Sequence, residues 1–516
     1  MSTLCLVPGA EEDPEHLLDV DPRSQLDKTI DRIGMGRYQW TLLCLCGFGW
    51  MADNMWIQAV AIVLPRVQQH YSVPDHYIGV VSSAMFAGMM IGAVGWGTCS
   101  DLLGRSTAFK ATPFFTALFG ILASFSYDYT SLCFLTFLLG TAVGGSLPTD
   151  GTLVTEHMPQ DKLHFVTGLS IFLSVGAVVA IVFALLLVPP SSCAVVTTIP
   201  CDPALNNGWK YLIGALGVVT LVIFISRILL FRLQESPRFL VHAGRPAEAL
   251  TALQLIARFN GYSILASELQ LADVDDTAAA TAGNRAEYQA IWGSDKDYLP
   301  HWARRLLDRL QMVLVPEWRR TTILVWSTWC WMAFAFTIFT VFLPKLLEAS
   351  GTKSLDESLW EVLISRIAGF PGSLLGARLI ITPLGRRWSL AGSTLVTAGS
   401  CVLFVFAQSA QSSLAIHIST IGFGLASKTM YAILYGWTPE IFATKVRGTA
   451  CGLASALSRI GGMIAPILGG VLLRFSRAAP VYTSMVAFVV TAGCVLLLRE
   501  GEGEGGWSGA VRRMRG

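Results

Sequence analysis

The chain has 516 residues, of which 53% are hydrophobic and only 14% charged, and its formal net charge is +2. An ordinary soluble protein carries about 25% charged residues, so the composition excludes that class, and the near-neutral balance offers no basic surface for nucleic acid. Apolar stretches recur along most of the length, each long enough to cross a hydrocarbon core about 30 Å thick, which is the pattern of a protein that crosses a membrane many times.

Taken in chain order, residues 1–38 are acidic and polar and lack the basic-then-apolar layout of a signal peptide. They read as a cytoplasmic tail. Apolar spans follow at 40–64, 77–98, 107–126, 130–155, 165–188 and 209–231, a first six-helix bundle over 39–231. In the first span, GWMADNMW sets Asp53 thirteen residues beyond Trp40, about 20 Å into the bilayer at about 1.5 Å per residue. A carboxylate at that depth must face a cavity or a partner, because exposing it to lipid costs several kcal/mol. Between the fifth and sixth spans, Cys193 and Cys201 bracket a Pro/Thr-rich loop. A disulfide forms there if the loop faces an oxidising compartment; otherwise the pair is two thiols.

Residues 232–319 are polar, with an Ala/Asp/Thr-rich stretch around 272–284 and one amphipathic segment, AEALTALQLIARF. This reads as a cytoplasmic central loop. Spans at 320–344, 358–382, 388–407, 413–439, 449–473 and 480–498 form a second bundle over 320–498, and 499–516 form a second cytoplasmic tail. The predicted fold is an all-α membrane protein of twelve transmembrane helices in two pseudo-symmetric six-helix bundles. With the amino terminus cytoplasmic, the inner connections hold Arg105, Lys110, Lys162, Arg386, Arg387, Lys445 and Arg447, against Arg66, Lys345, Lys353, Arg474 and Arg477 outside. That bias orients both termini to the cytoplasm.

The second half places Arg366, Lys428 and Arg459 within spans, where the first half has Asp53. Tyr431 and Tyr435 follow Lys428 on one helical face, so a cation and two phenols share a candidate cavity wall. These six residues are the expected substrate or coupling groups; the alternative for Asp53 is an interhelical ion pair that holds the halves together. Trp50, Trp56, Trp326, Trp329 and Trp331 could line the same cavity or pack against lipid. The glycines Gly88, Gly92, Gly95, Gly97, Gly140, Gly144 and Gly145 favour close helix packing. No HExxH, GxSxG, Walker lysine motif or Cys/His cluster is present. Neither an enzyme, an ATP-driven pump, a metal site nor a cofactor is expected.

Two short strings carry a family resemblance. After the second span comes GTCSDLLGRS, in which Gly97, Asp101, Gly104 and Arg105 resemble the GxxxDxxGR loop of major facilitator superfamily transporters. GARLIITPLGRR stands at the equivalent place in the second half, although Ile381 lies near where an Asp would stand. ESPRFL (235–240) and GWTPEIFATKVRGTACG (436–452) resemble sugar-porter and organic-ion-transporter sequences. With IDRIGMGRYQW and GGSLPTDG, the chain is similar to the synaptic-vesicle-protein-related branch, including its fungal members, from about residue 30 to 498.

The resemblance implies a small-solute carrier that works by alternating access; a monomer in the plasma membrane is expected. The motif match points to a cytoplasmic gate at Asp101, Gly104, Arg105, Glu156, Glu235, Arg238, Glu440 and Arg447, the alternative being ordinary topology-setting and helix-capping charges. Two departures shape the expected mechanism. Thr136 occupies the helix-four position where many members carry an Arg tied to proton coupling, and IFLSVGAVVAIVF lacks the antiporter proline. The leading expectation is uptake of an organic acid with a proton; the alternatives are export of a metabolite or toxin, and a non-transporting receptor or scaffold that retains the fold.

Overall fold

The computed structural model describes residues 25–162, 164–193, 202–229, 231–270, 314, 316–349, 354–382, 384–442 and 444–498. Among these, every regular element is helical. The first half comprises α1 (Gln25–Ile33), α2 (Arg37–Tyr71), α3 (Val80–Leu103), α4 (Arg105–Ser124), α5 (Tyr129–His157), α6 (His164–Gly168), α7 (Ser170–Leu187) and α8 (Gly208–Leu229). Next come α9 (Pro237–His242), α10 (Pro246–Phe259) and α11 (Ser263–Glu268). The second half comprises α12 (Pro316–Ala349), α13 (Leu355–Ile367), α14 (Gly369–Ile381), α15 (Gly385–Ser409), α16 (Ser413–Ile441), α17 (Thr444–Leu472) and α18 (Ala479–Leu497).

Ten candidate spans among the described residues are long and apolar enough to cross a membrane. The two remaining expected spans are α2 and α16, helices of 35 and 29 residues. Either would cross a core of about 30 Å. Their hydropathy is diluted by polar groups turned inward: Gln39, Asp53, Gln58 and Arg66 are buried on α2, and Ser419, Thr420, Ser427, Thr429 and Thr438 on α16. A membrane helix tolerates such residues where protein, not lipid, surrounds them. Low hydropathy therefore marks the two helices that carry Asp53 and Lys428.

The span expected at 358–382 is broken into α13 and α14 at Ala368. Pro371 explains the break, since it has no N–H for the carbonyl four residues earlier. Similarly, the fifth span is divided at Leu169. The helix-packing role of the glycines holds for the pair α3 and α5. A Cβ at Gly88, Gly92, Gly140 or Gly144 would fall 2.0–2.2 Å from a backbone carbonyl of the facing helix. Gly95 and Gly97 face open space and have no such role. Gly104 joins α3 to α4 at φ 100 and ψ 155, a conformation closed to residues with a Cβ.

The described residues divide into two units. The smaller draws on Met1–Tyr38, Glu156–Lys162 and Gln234–Gly293. Its α1 buries Leu26, Thr29, Ile30 and Ile33, an i, i+3, i+4, i+7 stripe, and leaves its charged residues on the other side. In α9 the ESPRFL string begins a helix, with Ser236 accepting from Phe239 N at 3.2 Å and Pro237 in the first turn. Tyr38, 1% exposed, fastens this unit: its hydroxyl accepts from Gln234 N at 3.1 Å, and its N–H donates to Asn260 at 2.9 Å.

The larger unit draws on Gln39–Thr155, Leu163–Leu233 and Ser294–Gly516 and holds both bundles. Within the first, α4 packs along α8; within the second, α12 packs along α17 and α18, and α15 along α16 and α18. The bundles meet where α3 packs on α17 and α7 on α13.

Candidate functional site

Asp53 sits midway along α2 and is 2% exposed. The Ser146 hydroxyl of α5 lies within hydrogen-bond reach of both Asp53 oxygens and of Val143 O in its own helix, and its one proton serves one of them at a time. Asp53 interacts electrostatically with Asp150 and Arg227 of its own bundle and, more weakly, with Arg459 of α17, but no cation lies within ion-pair distance of it among the described residues. Arg459 interacts likewise with Tyr435 of α16. The structure thus brings together Asp53, Arg459 and Tyr435 from the two bundles.

Lys428 and Arg366 form a second group. Gly369, at the α13–α14 break, lies against the Lys428 side chain, where a Cβ would be 2.7 Å from Cγ. Lys428 and Arg366 are close enough to repel. The Arg366 guanidinium lies over the Phe336 ring at 5.8 Å, and its Nε is buried without an acceptor. Among the described residues neither cation has a carboxylate partner. Two like charges held at the core by a kinked helix and a glycine repel one another unless a bound anion or water screens them.

The tyrosines complete one wall. Tyr431 packs edge-on to Phe336 at 5.3 Å, Tyr435 edge-on to Trp329 at 4.9 Å, and the two phenols lie 6.2 Å apart. Tyr435 is 54% exposed although it belongs to a membrane helix, whereas Trp329 is 5% exposed and donates to Thr438. Trp56 is packed instead, 1% exposed and bonded to Thr220 of α8. Trp50 Nε1 and Gln58 Nε2 on α2, and Trp326 Nε1 on α12, are buried donors with no acceptor among the described residues. These orphaned atoms, like Arg366 Nε, all donate.

Sequence reasoning misses two ion pairs. Arg227 does not reach for the membrane boundary: it is 0% exposed and pairs at 2.5 Å with Asp150, also 0% exposed. Its other donors go to Phe109 O at 2.7 Å and Leu45 O at 3.1 Å. Among the described residues Thr136 bonds to its own helix, at Leu132 O, and the buried guanidinium that pairs with Asp150 comes from α8. The second pair joins the bundles. Arg66 near the end of α2 bonds to Glu348 at the end of α12, with the side chains 1% and 9% exposed. Beside it Lys345 reaches Asp75 at 2.5 Å and Gln68 at 2.7 Å, and Ser83 Oγ donates to Met463 O at 2.8 Å. The one signal that could flag Arg66 from sequence is helical depth, because its position near a span end otherwise resembles a loop charge.

Of the expected gate, Arg105 donates to Ser100 at 2.8 Å, and Arg238 pairs with Asp27 at 2.7 Å within the smaller unit. Glu156 and Glu235 belong to that unit too. The side chains of Asp101, Glu440 and Arg447 lie outside the described residues. Cys193 is disulfide-bonded, and Cys201 lies outside the described residues.

The sugar (and other) transporter family model matches residues 47–500. The MFS siderochrome iron transporter 1 of Ceriporiopsis subvermispora is 33% identical over 476 residues, covering 91% of this chain and 88% of that protein. The synaptic vesicle 2-related protein of Bos taurus is 25% identical over 509 residues, 95% of this chain and 82% of that protein. The xylose transporter XylE from E. coli, in a partially occluded inward-open conformation, has the same fold, with a TM-score of 0.68 over 90% of this chain and 99% of that one at 14% identity. The chain belongs to the sugar (and other) transporter family of the major facilitator superfamily.

Proposed function

We propose that this transporter carries a small organic acid together with a proton by alternating access, one side of the molecule opening while the other is sealed. The observation that carries this reading is the charge arrangement at the centre. Lys428, Arg366 and Arg459 have no carboxylate within ion-pair distance among the described residues, while Asp53, unlike the Asp150 that pairs with Arg227, is held only by a hydroxyl. The orphaned donors Trp50, Gln58, Trp326 and Arg366 also call for a ligand rich in acceptors. An organic anion satisfies both demands, and Asp53 supplies a group that can take up and release the proton.

The end where α2 meets α3 is read as extracytoplasmic, with both termini, the central segment and the Asp101–Arg105 gate inside. The basic residues of the connections favour this orientation, and so does the disulfide at Cys193, which persists in an oxidising compartment. The Arg66–Glu348 and Lys345–Asp75 pairs then close the outer side. A monomer in the plasma membrane fits this reading, and Cys201 is the partner proposed for Cys193.

The test is a comparison of small-molecule content between cells with and without the transporter, followed by uptake of the solutes that differ. Lys428→Gln and Arg366→Gln are each expected to raise KM for the anion about tenfold, the cost of a lost charged hydrogen bond. Solutes that differ but carry no acidic group, with KM unchanged in both variants, would refute the organic-acid assignment.

The outer closure has a defined pH response. Burial opposes ionisation of Asp75, but hydrogen bonds from Lys345 and Gln68 and the Lys345 charge hold its carboxyl below the usual range. Its contribution to closure is therefore complete above about pH 4 and is lost only as pH falls through the lowered value. Because Asp75 is half exposed, that contribution is at most about 1 kcal/mol. Asp75→Asn is expected to raise outward labelling of a cysteine at Gln58 by the same modest factor at about pH 5 and about pH 8. A factor that changes across that range would place the titrating group elsewhere.

A further inference from the structure

A carboxyl that takes up a proton and releases it must be accommodated both charged and neutral, and Asp53 has a neighbour that can serve both forms. Among the described residues its one hydrogen-bond donor is the Ser146 hydroxyl of α5. That hydroxyl also lies 2.9 Å from Val143 O, one turn back in its own helix. Asp53 and Ser146 are 2% and 3% exposed, so no bulk water competes for the contact. The contact is internal to the first bundle, and α2 is fixed to that bundle around Asp53. Asn54 donates to Leu173 O of α7, Trp56 donates to Thr220 of α8 at 3.1 Å, and a Cβ on Gly176 of α7 would lie 2.0 Å from Met51 O. Ser146 therefore stays with Asp53 while the bundles move against each other.

The charged groups facing Asp53 are Asp150 of α5, Arg227 of α8 and Arg459 of α17, and α7 has no titratable residue. Asp150 and Arg227 neutralise each other. Arg459 belongs to the second bundle, so its distance from Asp53 changes when the bundles move. Ser146 supplies the nearest fixed interaction that distinguishes the charged carboxyl from the neutral one.

We propose that Ser146 is the positioning residue of proton uptake: its hydroxyl turns between Asp53 and the Val143 carbonyl, so that Asp53 is hydrogen-bonded in both protonation states. In the charged state the Ser146 O–H donates to a carboxylate oxygen. When a proton adds to that carboxylate, the new Asp53 O–H donates to a lone pair of Ser146 Oγ, and the Ser146 O–H turns to Val143 O. The serine keeps its own proton throughout, and release runs the same steps backwards. Neither state leaves a buried donor without an acceptor. This role rests on the reading given above that Asp53 carries the proton, but on no particular solute.

The experiment follows the carboxyl C=O stretch of Asp53 by infrared difference spectroscopy, on the full chain in phosphatidylcholine vesicles titrated with pH. The band is identified by its absence in Asp53→Asn, and the probe is the proton alone. Losing a hydrogen bond to the charged form weakens that form. Ser146→Ala is therefore expected to move the midpoint of the band about one unit to higher pH, a tenfold gain in proton affinity. Ser146→Thr keeps the hydroxyl and should hold the parent midpoint. A serine that only packed α2 against α5 would lower thermal stability on replacement and leave the midpoint in place.

Should Ser146→Ala fail to fold, Ser146→Cys carries the test, because a thiol is a weak donor and should move the midpoint the same way by less. The parent midpoint in the folded Ser146→Ala or Ser146→Cys variant overturns the role. So does a displacement of the remaining carboxyl bands when Ser146→Ala is placed in the Asp53→Asn chain, since Ser146 then acts on another group such as Asp150. If Asp53→Asn removes no titrating band, Asp53 does not exchange a proton, and the reading and this role fall together. That result is read from Asp53→Asn alone, so failure of the reading and failure of the role are distinguishable.

Discussion

Arg227→Met is expected to destabilise the protein by roughly 3–5 kcal/mol, the range for breaking a buried ion pair and leaving its partner uncompensated. Arg227 and Asp150 have no exposed surface, and both amino groups of the guanidinium are committed. It meets the carboxylate at 2.5 and 3.3 Å, the carbonyls of Phe109 and Leu45, and the face of the Phe109 ring at 4.0 Å. Four helices, α2, α4, α5 and α8, are thereby tied at one point. Gly49 is part of the same construction: a Cβ there would lie 2.1 Å from an Arg227 amino nitrogen and 2.4 Å from an Asp150 oxygen. The double variant Asp150→Leu/Arg227→Met should recover most of the loss, because no unpaired charge remains. Thermal unfolding of the parent, both single variants and the double variant in detergent checks this. Equal losses in the double and Arg227→Met variants would show that the pair's geometry, and not its uncompensated charge, carries the stability.

For Asp53→Asn, the expected result is loss of solute accumulation driven by a pH gradient, by tenfold or more, with exchange of labelled for unlabelled solute retained. The amide keeps the shape of the carboxylate and can still bond to Ser146, so the α2–α5 contact survives. What it cannot do is bind and release a proton or oppose Arg459. Exchange needs the solute site and the conformational change but no net proton movement, so the two assays separate coupling from binding. If accumulation persists in Asp53→Asn, the proton is carried elsewhere or the transport is not proton-coupled. If exchange is lost as well, Asp53 belongs to the solute site or to the ion-pair framework.

Several candidate site residues are legible in the sequence because hydropathy makes them conspicuous. A carboxylate or a cation in a long apolar run stands out, and Asp53, Arg366, Lys428 and Arg459 all do so. The tertiary fold adds which of them meet. Asp53 faces a serine 93 positions away and shares electrostatic contact with Arg459, while Arg366 and Lys428 face each other. The phenol face of α16 follows from i, i+4 spacing, but its partners Phe336 and Trp329 come from α12. Arg227 and Arg66 escape a sequence reading for one reason. Near the end of a span a basic residue resembles a boundary charge, and its true partner lies 77 or 282 positions away.

The sequence by itself determined that this chain is a twelve-span membrane protein of two halves, because hydropathy and span length are local properties and lipid imposes them segment by segment. It also determined the family, through short strings whose residue types are set by turns and helix ends. Only the tertiary structure decided which charges are paired and which helices break. Those outcomes depend on distances between segments remote in the chain, and neither hydropathy nor periodicity carries that information.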